Sequence, residues 1–198
     1  MTEVGPLDAG RFDLVIFDLD GTLTVPNHDF AALRQTLGLE PKQDILAGIA
    51  ERSPERRAAD MAYIRAWEVE IAEQSERARG ALALLERLAA AGIKRAILTR
   101  NRRDVALRTL EIIGLAHFFP ADAVWGRASC EPKPSPAGVE GLCALLAASP
   151  ARTCMVGDHV MDVAAGEAAG AIGVLVHPDP SASALLTVTH HVHGLDEL

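Results

Sequence analysis

Cysteine is scarce in this sequence, and its spacing argues against two common uses of the residue. The chain contains three cysteines, Cys130, Cys143 and Cys154, and none of them forms a Cys-x-x-Cys pair. An odd number of widely spaced cysteines argues against a disulfide framework and against a zinc site. We therefore expect buried, reduced thiols at these positions.

Basic residues, aromatic residues and long apolar runs are also few. The chain has 19 Lys and Arg against 27 Asp and Glu, a net charge of −8, and only 4% of its residues are aromatic. The negative charge argues against nucleic acid or an anionic membrane as the main partner. No apolar run is long enough to span a bilayer, and residues 1–10 lack the basic-then-apolar pattern of a signal peptide. The sequence thus predicts a cytoplasmic protein with no nucleic-acid or membrane partner, and it leaves the oligomeric state undetermined.

Apolar runs typical of buried strands alternate with helical patterns along most of the chain. Strands are predicted at residues 12–17, 96–98, 123–125, 153–156 and 172–176, with a short last strand between 188 and 195. Strands that alternate with helices predict a parallel sheet built from right-handed crossovers. The expected fold class is therefore α/β, a doubly wound parallel sheet with a Rossmann-like core.

A helical stretch interrupts this alternation after the first strand. Residues 25–79 contain three helical patterns and no strand pattern. The first ends at Gly38, the second is expected to begin near Pro41, and Ser53-Pro54 opens a long third helix. One face of the third helix is apolar, and we expect the opposite face to be solvated. The charged residues of that helix are Arg56, Arg57, Asp60, Arg65, Glu68 and Glu73.

Two carboxylates follow the first apolar strand directly. Asp18 and Asp20 are one residue apart, and Gly21 and Thr22 complete the string Asp-x-Asp-Gly-Thr. Ligands of open α/β sheets bind beyond the carboxyl ends of the strands, where two such carboxylates could hold a divalent cation. An acidic turn is the alternative interpretation, but a chance match to the whole string is on the order of one in a thousand. The string therefore favours a catalytic site, in which Gly21 lets the backbone turn sharply.

This string resembles the first motif of the haloacid dehalogenase superfamily, most of whose members are magnesium-dependent phosphatases. Three further segments are similar to the other motifs, in family order: Thr99 after the second strand, Lys133 before a proline, and Asp158 with Asp162 in Gly-Asp-x-x-x-Asp. The resemblance spans residues 15–162. It implies a hydrolase similar to phosphoglycolate phosphatases.

The resemblance also implies how the chain divides. Residues 1–24 and 80–198 are expected to form the catalytic core, and residues 25–79 an inserted α-helical cap. A cap of this kind closes over the site, excludes water and sets specificity.

Outside the first motif, single residues also have simpler interpretations. Thr99 or Asn101 is a suitable N-cap for the helix that follows. Lys133 between two prolines is typical of a solvated lysine. Asp158 could cap a helix, and its spacing from Asp162 predicts that both lie on one helix face near the N-terminus. The order of the motifs favours the catalytic interpretation, because converging acids need a cation and hard oxygen ligands select magnesium.

The resemblance implies a role for each of these residues. Asp18 would attack phosphorus, and Asp20 would act as general acid and then general base. Thr99 and Lys133 would stabilise the transferring group. The expected Mg²⁺ ligands are the Asp18 carboxylate, the Asp20 backbone carbonyl and Asp158, with Asp162 binding through water or acting as a brace. The expected substrate is a small phosphorylated metabolite, bound by Gly21, Thr99, Arg100, Asn101 and Lys133.

Two other functions fit parts of the pattern. A phosphomutase of the same fold would share these motifs. A phosphoacceptor signalling domain also combines acids, a threonine and a lysine on a doubly wound sheet, but it has no helical insertion after the first strand. The sequence departs from the family pattern at His159, where many members have Ser or Thr.

Overall fold

One parallel sheet organises the computed structural model, which describes residues 7–179 and 190–198. Its strands among these residues are β1 (Leu14–Phe17), β2 (Lys94–Leu98), β3 (Val124–Trp125), β4 (Thr153–Gly157), β5 (Ile172–Val176) and β6 (His191–Val192). They lie in the order β3-β2-β1-β4-β5-β6, and every neighbouring pair is parallel. The predicted α/β class is confirmed. The last predicted strand is the short β6, and positions 188 and 189 of that prediction lie outside the described residues.

Helices connect the strands and form a separate insertion. In chain order they are α1 (Phe30–Leu37), α2 (Ile45–Ala50), α3 (Pro54–Glu73), α4 (Ala81–Ala90), α5 (Arg103–Ile112), α6 (Ala137–Leu145) and α7 (Val160–Ala168). No helix in the described part of the chain is both long and apolar enough to cross a membrane.

Both faces of β1 are buried, which explains its unbroken apolar sequence. Val15 and Phe17 pack in one apolar core with side chains of α4 and α5. Leu14 and Ile16 pack in a second core with side chains of α6 and α7. Successive side chains of a strand point to opposite faces, so a strand between two helical layers needs an apolar residue at every position.

The order of the strands creates a crevice at the carboxyl end of β1. The chain runs from β1 outward to β2 and β3, and then returns to place β4 on the other side of β1. The connections after β1 and after β4 therefore leave in opposite directions. Such a topological switch point is where open α/β sheets bind ligands.

Residues Asn27–Gln74 form a compact unit of their own, distinct from the sheet-containing unit. Helices α1, α2 and α3 lie in it and share a small core of Leu33, Leu37, Ile49 and Ile64. The second helix begins at Ile45, not near Pro41 as predicted, because the side chain of Asp44 accepts a hydrogen bond from the Ala47 N–H at 2.9 Å and caps the helix there.

The charged face predicted for α3 is not fully solvated. Asp60 is only 4% exposed and Glu68 only 5%. The Asp60 carboxylate pairs with Arg52 and accepts from Arg56 Nε at 3.3 Å. A second nitrogen of Arg52 donates to the carbonyl oxygen of Leu37 at 2.6 Å. A buried carboxylate is stable only when it is paired. Arg52 thus ties α3 to the end of α1, a role that helical periodicity alone does not reveal.

The cysteines are free thiols, and their predicted burial is correct for two of the three. Cys143 and Cys154 are buried, whereas Cys130 is partly exposed.

Asp60→Ala should destabilise the Asn27–Gln74 unit by about 2 kcal/mol, because it leaves the mostly buried Arg52 guanidinium without its carboxylate. Urea unfolding followed by Trp67 fluorescence in a Trp125→Phe background measures this, since Trp67 packs against the core of the same unit. The matched control is Glu111→Ala, which breaks an exposed ion pair with Arg108 and should cost less than about 1 kcal/mol. Equal midpoints for the parent and Asp60→Ala would contradict the structural role of this pair.

Candidate active site

The predicted site residues gather where β1, β2 and β4 end. Asp18 directly follows β1, and its backbone N–H donates to the carbonyl oxygen of Val156 in β4 at 2.8 Å. Thr99 follows β2, and Asp158 follows β4. Residues far apart in the sequence therefore share one edge of the sheet.

A buried lysine, Lys133, contacts the acidic residues at this edge of the sheet. Its ammonium group lies 2.7 Å from Asp18 Oδ1 and 2.5 Å from Asp162 Oδ1, and donates to the carbonyl oxygen of Leu98 at 2.8 Å. Lys133 is 6% exposed, so the interpretation as a solvated lysine is wrong. Burial alone would lower the pKa of Lys133, but the carboxylates of Asp18 and Asp162 outweigh burial and raise the pKa above its ordinary value. The ammonium group of Lys133 is therefore positively charged at neutral pH. The peptide bond between Lys133 and Pro134 is cis.

Three carboxylates surround this lysine. Among the described residues, Asp18, Asp158 and Asp162 each offer one oxygen, and these oxygens lie within 4.8 Å of one another. Burial and then the Asp18 charge raise the pKa of Asp158 to about 6. The same two causes raise the pKa of Asp162 and outweigh the opposing effect of Lys133. Burial and the nearby Asp18 charge thus both oppose the ionisation of Asp158 and Asp162.

The two acids of the fourth motif differ in position from the prediction. Asp158 precedes α7, whose N-cap is His159, so Asp158 and Asp162 do not lie on one helix face. Asp162 lies in the first turn of α7, where its Oδ2 accepts from the His159 N–H at 3.0 Å while Oδ1 contacts Lys133. His159 Nδ1 accepts from the Met161 N–H at 3.2 Å. An imidazole nitrogen thus provides the capping acceptor that a Ser or Thr hydroxyl provides elsewhere.

Asp20 lies apart from the three-carboxylate cluster, against the end of β2. Its Oδ2 accepts from Asn101 Nδ2 at 3.2 Å and from the Thr99 hydroxyl at 3.4 Å. Burial, followed by the charge of Asp18, raises the pKa of Asp20 to about 7. A carboxyl group with a pKa near neutrality can both donate and accept a proton under physiological conditions.

The loop after β1 shows two residues that the sequence analysis did not assign. The Thr22 hydroxyl donates to Asp158 Oδ1 at 3.3 Å, and Thr24 Oγ accepts from the Gly21 N–H at 3.1 Å. Thr22 is the last residue of the string that marks the first motif, which was the available signal, and Thr24 follows two residues later. Gly21 has φ +87°, and a Cβ there would overlap the Asp158 carboxylate. Glycine therefore lets the loop approach the acidic cluster.

Arg100, one of the residues expected to bind substrate, is partly exposed. Its guanidinium contacts the Met161 sulfur at 3.8 Å, at the start of α7. Burial and then the Arg100 charge lower the pKa of His159. Arg100 thus adds positive potential beside His159, whereas the Asn101 amide donates to Asp20.

Known proteins are similar to this chain in sequence and in architecture. Residues 33–170 match the family of haloacid dehalogenase-like hydrolases. The chain is 33% identical over 177 residues to a haloacid dehalogenase-like hydrolase domain-containing protein of Arabidopsis thaliana, covering 82% of this chain and 69% of that protein. It is also 33% identical over 186 residues to the phosphoglycolate phosphatase of Rhodospirillum rubrum, covering 79% of this chain and 76% of that enzyme.

Solved structures agree with the sequence comparisons. A hydrolase from Deinococcus radiodurans R1, crystallised with bound phosphate and sodium, is similar with a TM-score of 0.68 and 26% identity, over 94% of this chain and 93% of that one. The family match covers more than half of the 198 residues. The chain therefore belongs to the haloacid dehalogenase-like hydrolase family.

Proposed function

We propose that this protein is a magnesium-dependent phosphatase that hydrolyses a small phosphate monoester through an aspartyl-phosphate on Asp18. One observation carries the proposal. A buried carboxylate, Asp18, contacts a buried ammonium group at 2.7 Å within an acidic cluster, beside a second carboxyl group whose pKa is about 7. This arrangement unites a nucleophile, a group that offsets phosphoryl charge, and a proton donor.

Asp18 is the proposed nucleophile. The Lys133 ammonium group lies 2.7 Å from Asp18 Oδ1, and a carboxylate is able to attack phosphorus as a nucleophile. The same ammonium group can offset the negative charge of the phosphoryl oxygens as the new bond forms. Asp162 helps to hold the Lys133 ammonium group in place, because it contacts that group and also accepts a hydrogen bond at the start of α7.

Asp20 is the proposed general acid and base. In the first step, an oxygen of Asp18 bonds to phosphorus, the ester P–O bond breaks, and the proton of Asp20 passes to the departing alkoxide oxygen. In the second step, a water oxygen attacks phosphorus, its proton passes to Asp20, and the bond between phosphorus and Asp18 breaks. Inorganic phosphate leaves, and both carboxyl groups return to their initial states.

The acidic cluster fits a magnesium ion. Carboxylate oxygens are the ligands that Mg²⁺ prefers. Burial and then the Asp18 charge raise the pKa values of Asp158 and Asp162, and a bound cation would favour their ionised forms. Asp18, Asp158 and the backbone carbonyl of Asp20 would hold the ion, with Asp162 as a brace or a ligand through water. When bound, the ion would supply Lewis-acid stabilisation of a phosphoryl oxygen.

The relatives support a small anionic phosphate ester as substrate. The Rhodospirillum rubrum relative is a phosphoglycolate phosphatase, and the Deinococcus radiodurans structure contains bound phosphate. We accordingly propose 2-phosphoglycolate as the first ester to assay. Gly21, Thr99, Arg100 and Asn101 complete the proposed substrate-binding set, in which Arg100 attracts the anion.

Asp18→Asn should lower phosphate release from 2-phosphoglycolate at least about a thousandfold, because an amide cannot form the covalent intermediate. The direct measurement is intact-protein mass spectrometry of acid-quenched reactions. The parent should gain the mass of one phosphoryl group, and Asp18→Asn should not. The matched control, Asp122→Asn, changes an exposed acid and should match the parent in both assays. Undiminished turnover by Asp18→Asn would refute the assignment of the nucleophile.

Mg²⁺ should raise the melting temperature of the parent, since it would bind only the folded acidic cluster. At about a hundred times its Kd the ion adds about 2.7 kcal/mol to the free energy of unfolding, which corresponds to a rise of about 5 °C or more. Asp158→Asn should lose most of this rise, whereas Asp122→Asn should keep it. Without Mg²⁺, Asp158→Asn should be at least as stable as the parent, because it removes one of the repelling charges. A full Mg²⁺ response in Asp158→Asn would contradict the proposed metal site.

A further inference from the structure

Two hydrogen-bond donors converge on one oxygen of Asp20. Asn101 Nδ2 lies 3.2 Å from Asp20 Oδ2, and the Thr99 hydroxyl lies 3.4 Å from the same oxygen. The donors come from one short segment after β2, so a single backbone conformation sets both contacts. Thr99 and Asn101 are buried, with 4% and 8% exposure, and so the contacts are shielded from competing water.

Local hydrogen bonds fix the direction of each donor. Asn101 Oδ1 accepts from the Arg102 N–H at 2.7 Å, which identifies the other end of the amide as the NH₂ group that faces Asp20. The Thr99 oxygen accepts from the Asn101 N–H at 3.0 Å, and its own hydrogen is therefore directed to Asp20. Each donor is oriented by the start of the segment that leads into α5.

We propose that Asn101 is a positioning residue for the proton transfer of the proposed phosphatase reaction, because it holds the Asp20 carboxyl group in place through Oδ2. The inference rests on the proposed function. It reassigns Asn101 from contact with the substrate to the positioning of Asp20.

Position matters for a general acid, because its proton must reach the ester oxygen as the P–O bond breaks. The two contacts at Oδ2 fix the Asp20 carboxyl group on the side of β2. A fixed carboxyl group needs no reorientation at that moment, which is the advantage of a positioned acid.

The test compares two esters that differ in their need for a proton. The phenolate of phenyl phosphate is a poor leaving group and requires protonation, whereas the p-nitrophenolate of p-nitrophenyl phosphate leaves without it. Asn101→Leu, of similar size and without a donor, should lower kcat/KM for phenyl phosphate by about ten- to a hundredfold. The same variant should lower kcat/KM for p-nitrophenyl phosphate by no more than about threefold, because kcat/KM reports only the steps up to formation of the intermediate.

Two further variants separate positioning from folding. Asn101→Asp keeps an oxygen for the Arg102 N–H but removes the donor, so it should show the same selective loss as Asn101→Leu. Asp104→Ala breaks the surface ion pair between Arg102 and Asp104 at the start of α5, and it should affect both esters equally and weakly. Equal losses on the two esters in both Asn101 variants would overturn the proposal, since a structural defect does not distinguish leaving groups.

Crystal structures of the parent and of Asn101→Leu provide a readout that is independent of turnover. We expect the Asp20 carboxyl group to leave its position near Thr99 in the variant. An unmoved Asp20 would overturn the proposal, whatever the kinetics. If the parent released no phosphate from any ester, the proposed function would fail, and the two structures would still decide whether Asn101 holds Asp20.

Discussion

The contact between the Lys133 ammonium group and the carboxylates of Asp18 and Asp162 is the interaction on which the rest of the site depends. Asp162 is 1% exposed and Asp18 7%, and carboxylates so deprived of water are stable only near a positive charge. Lys133 also reaches the carbonyl oxygen of Leu98 at the end of β2. A single side chain therefore joins the ends of β1, β2 and the start of α7 into one site.

The topology of the sheet explains why a lysine from a distant loop can contact the ends of β1 and β2 and the start of α7. Because β1 lies between β2 and β4, the residue after β1 faces neighbours that belong to two different halves of the chain. Helices pack on both faces of β1 and bury its side chains, and the polar groups of the site follow at its carboxyl end. The switch point thus provides a crevice, and burial of the groups around it raises the pKa values of Asp20 and Asp158.

Sequence patterns predict proximity better than they predict hydrogen-bond partners. Polar residues at the ends of apolar runs are enough to bring Asp18, Thr99 and Asp158 together, because parallel strands end at a common edge. Nothing in the pattern says that the Asn101 amide points to Asp20, since that depends on the exact backbone direction after β2. The buried Asp60 escapes prediction for a similar reason, because its partner Arg52 lies outside its helix. The start of α2 depends on a single capping side chain, which a periodic pattern locates only approximately.

The acids that fit a cation and the partners of the proposed proton donor lie on opposite sides of β1. On the side of β4 and α7 lie the acids that fit a cation, with Asp158 and Asp162 within reach of Asp18. On the side of β2 lie Thr99 and Asn101, which contact only the proposed proton donor among these acids. In the proposed site, the ion would contact Asp20 through its backbone carbonyl and not through its carboxyl group. The Asp20 side chain turns toward β2, which keeps the proposed proton donor apart from the three-carboxylate cluster. A cation in contact with that carboxyl group would stabilise its ionised form and hinder the donation of a proton.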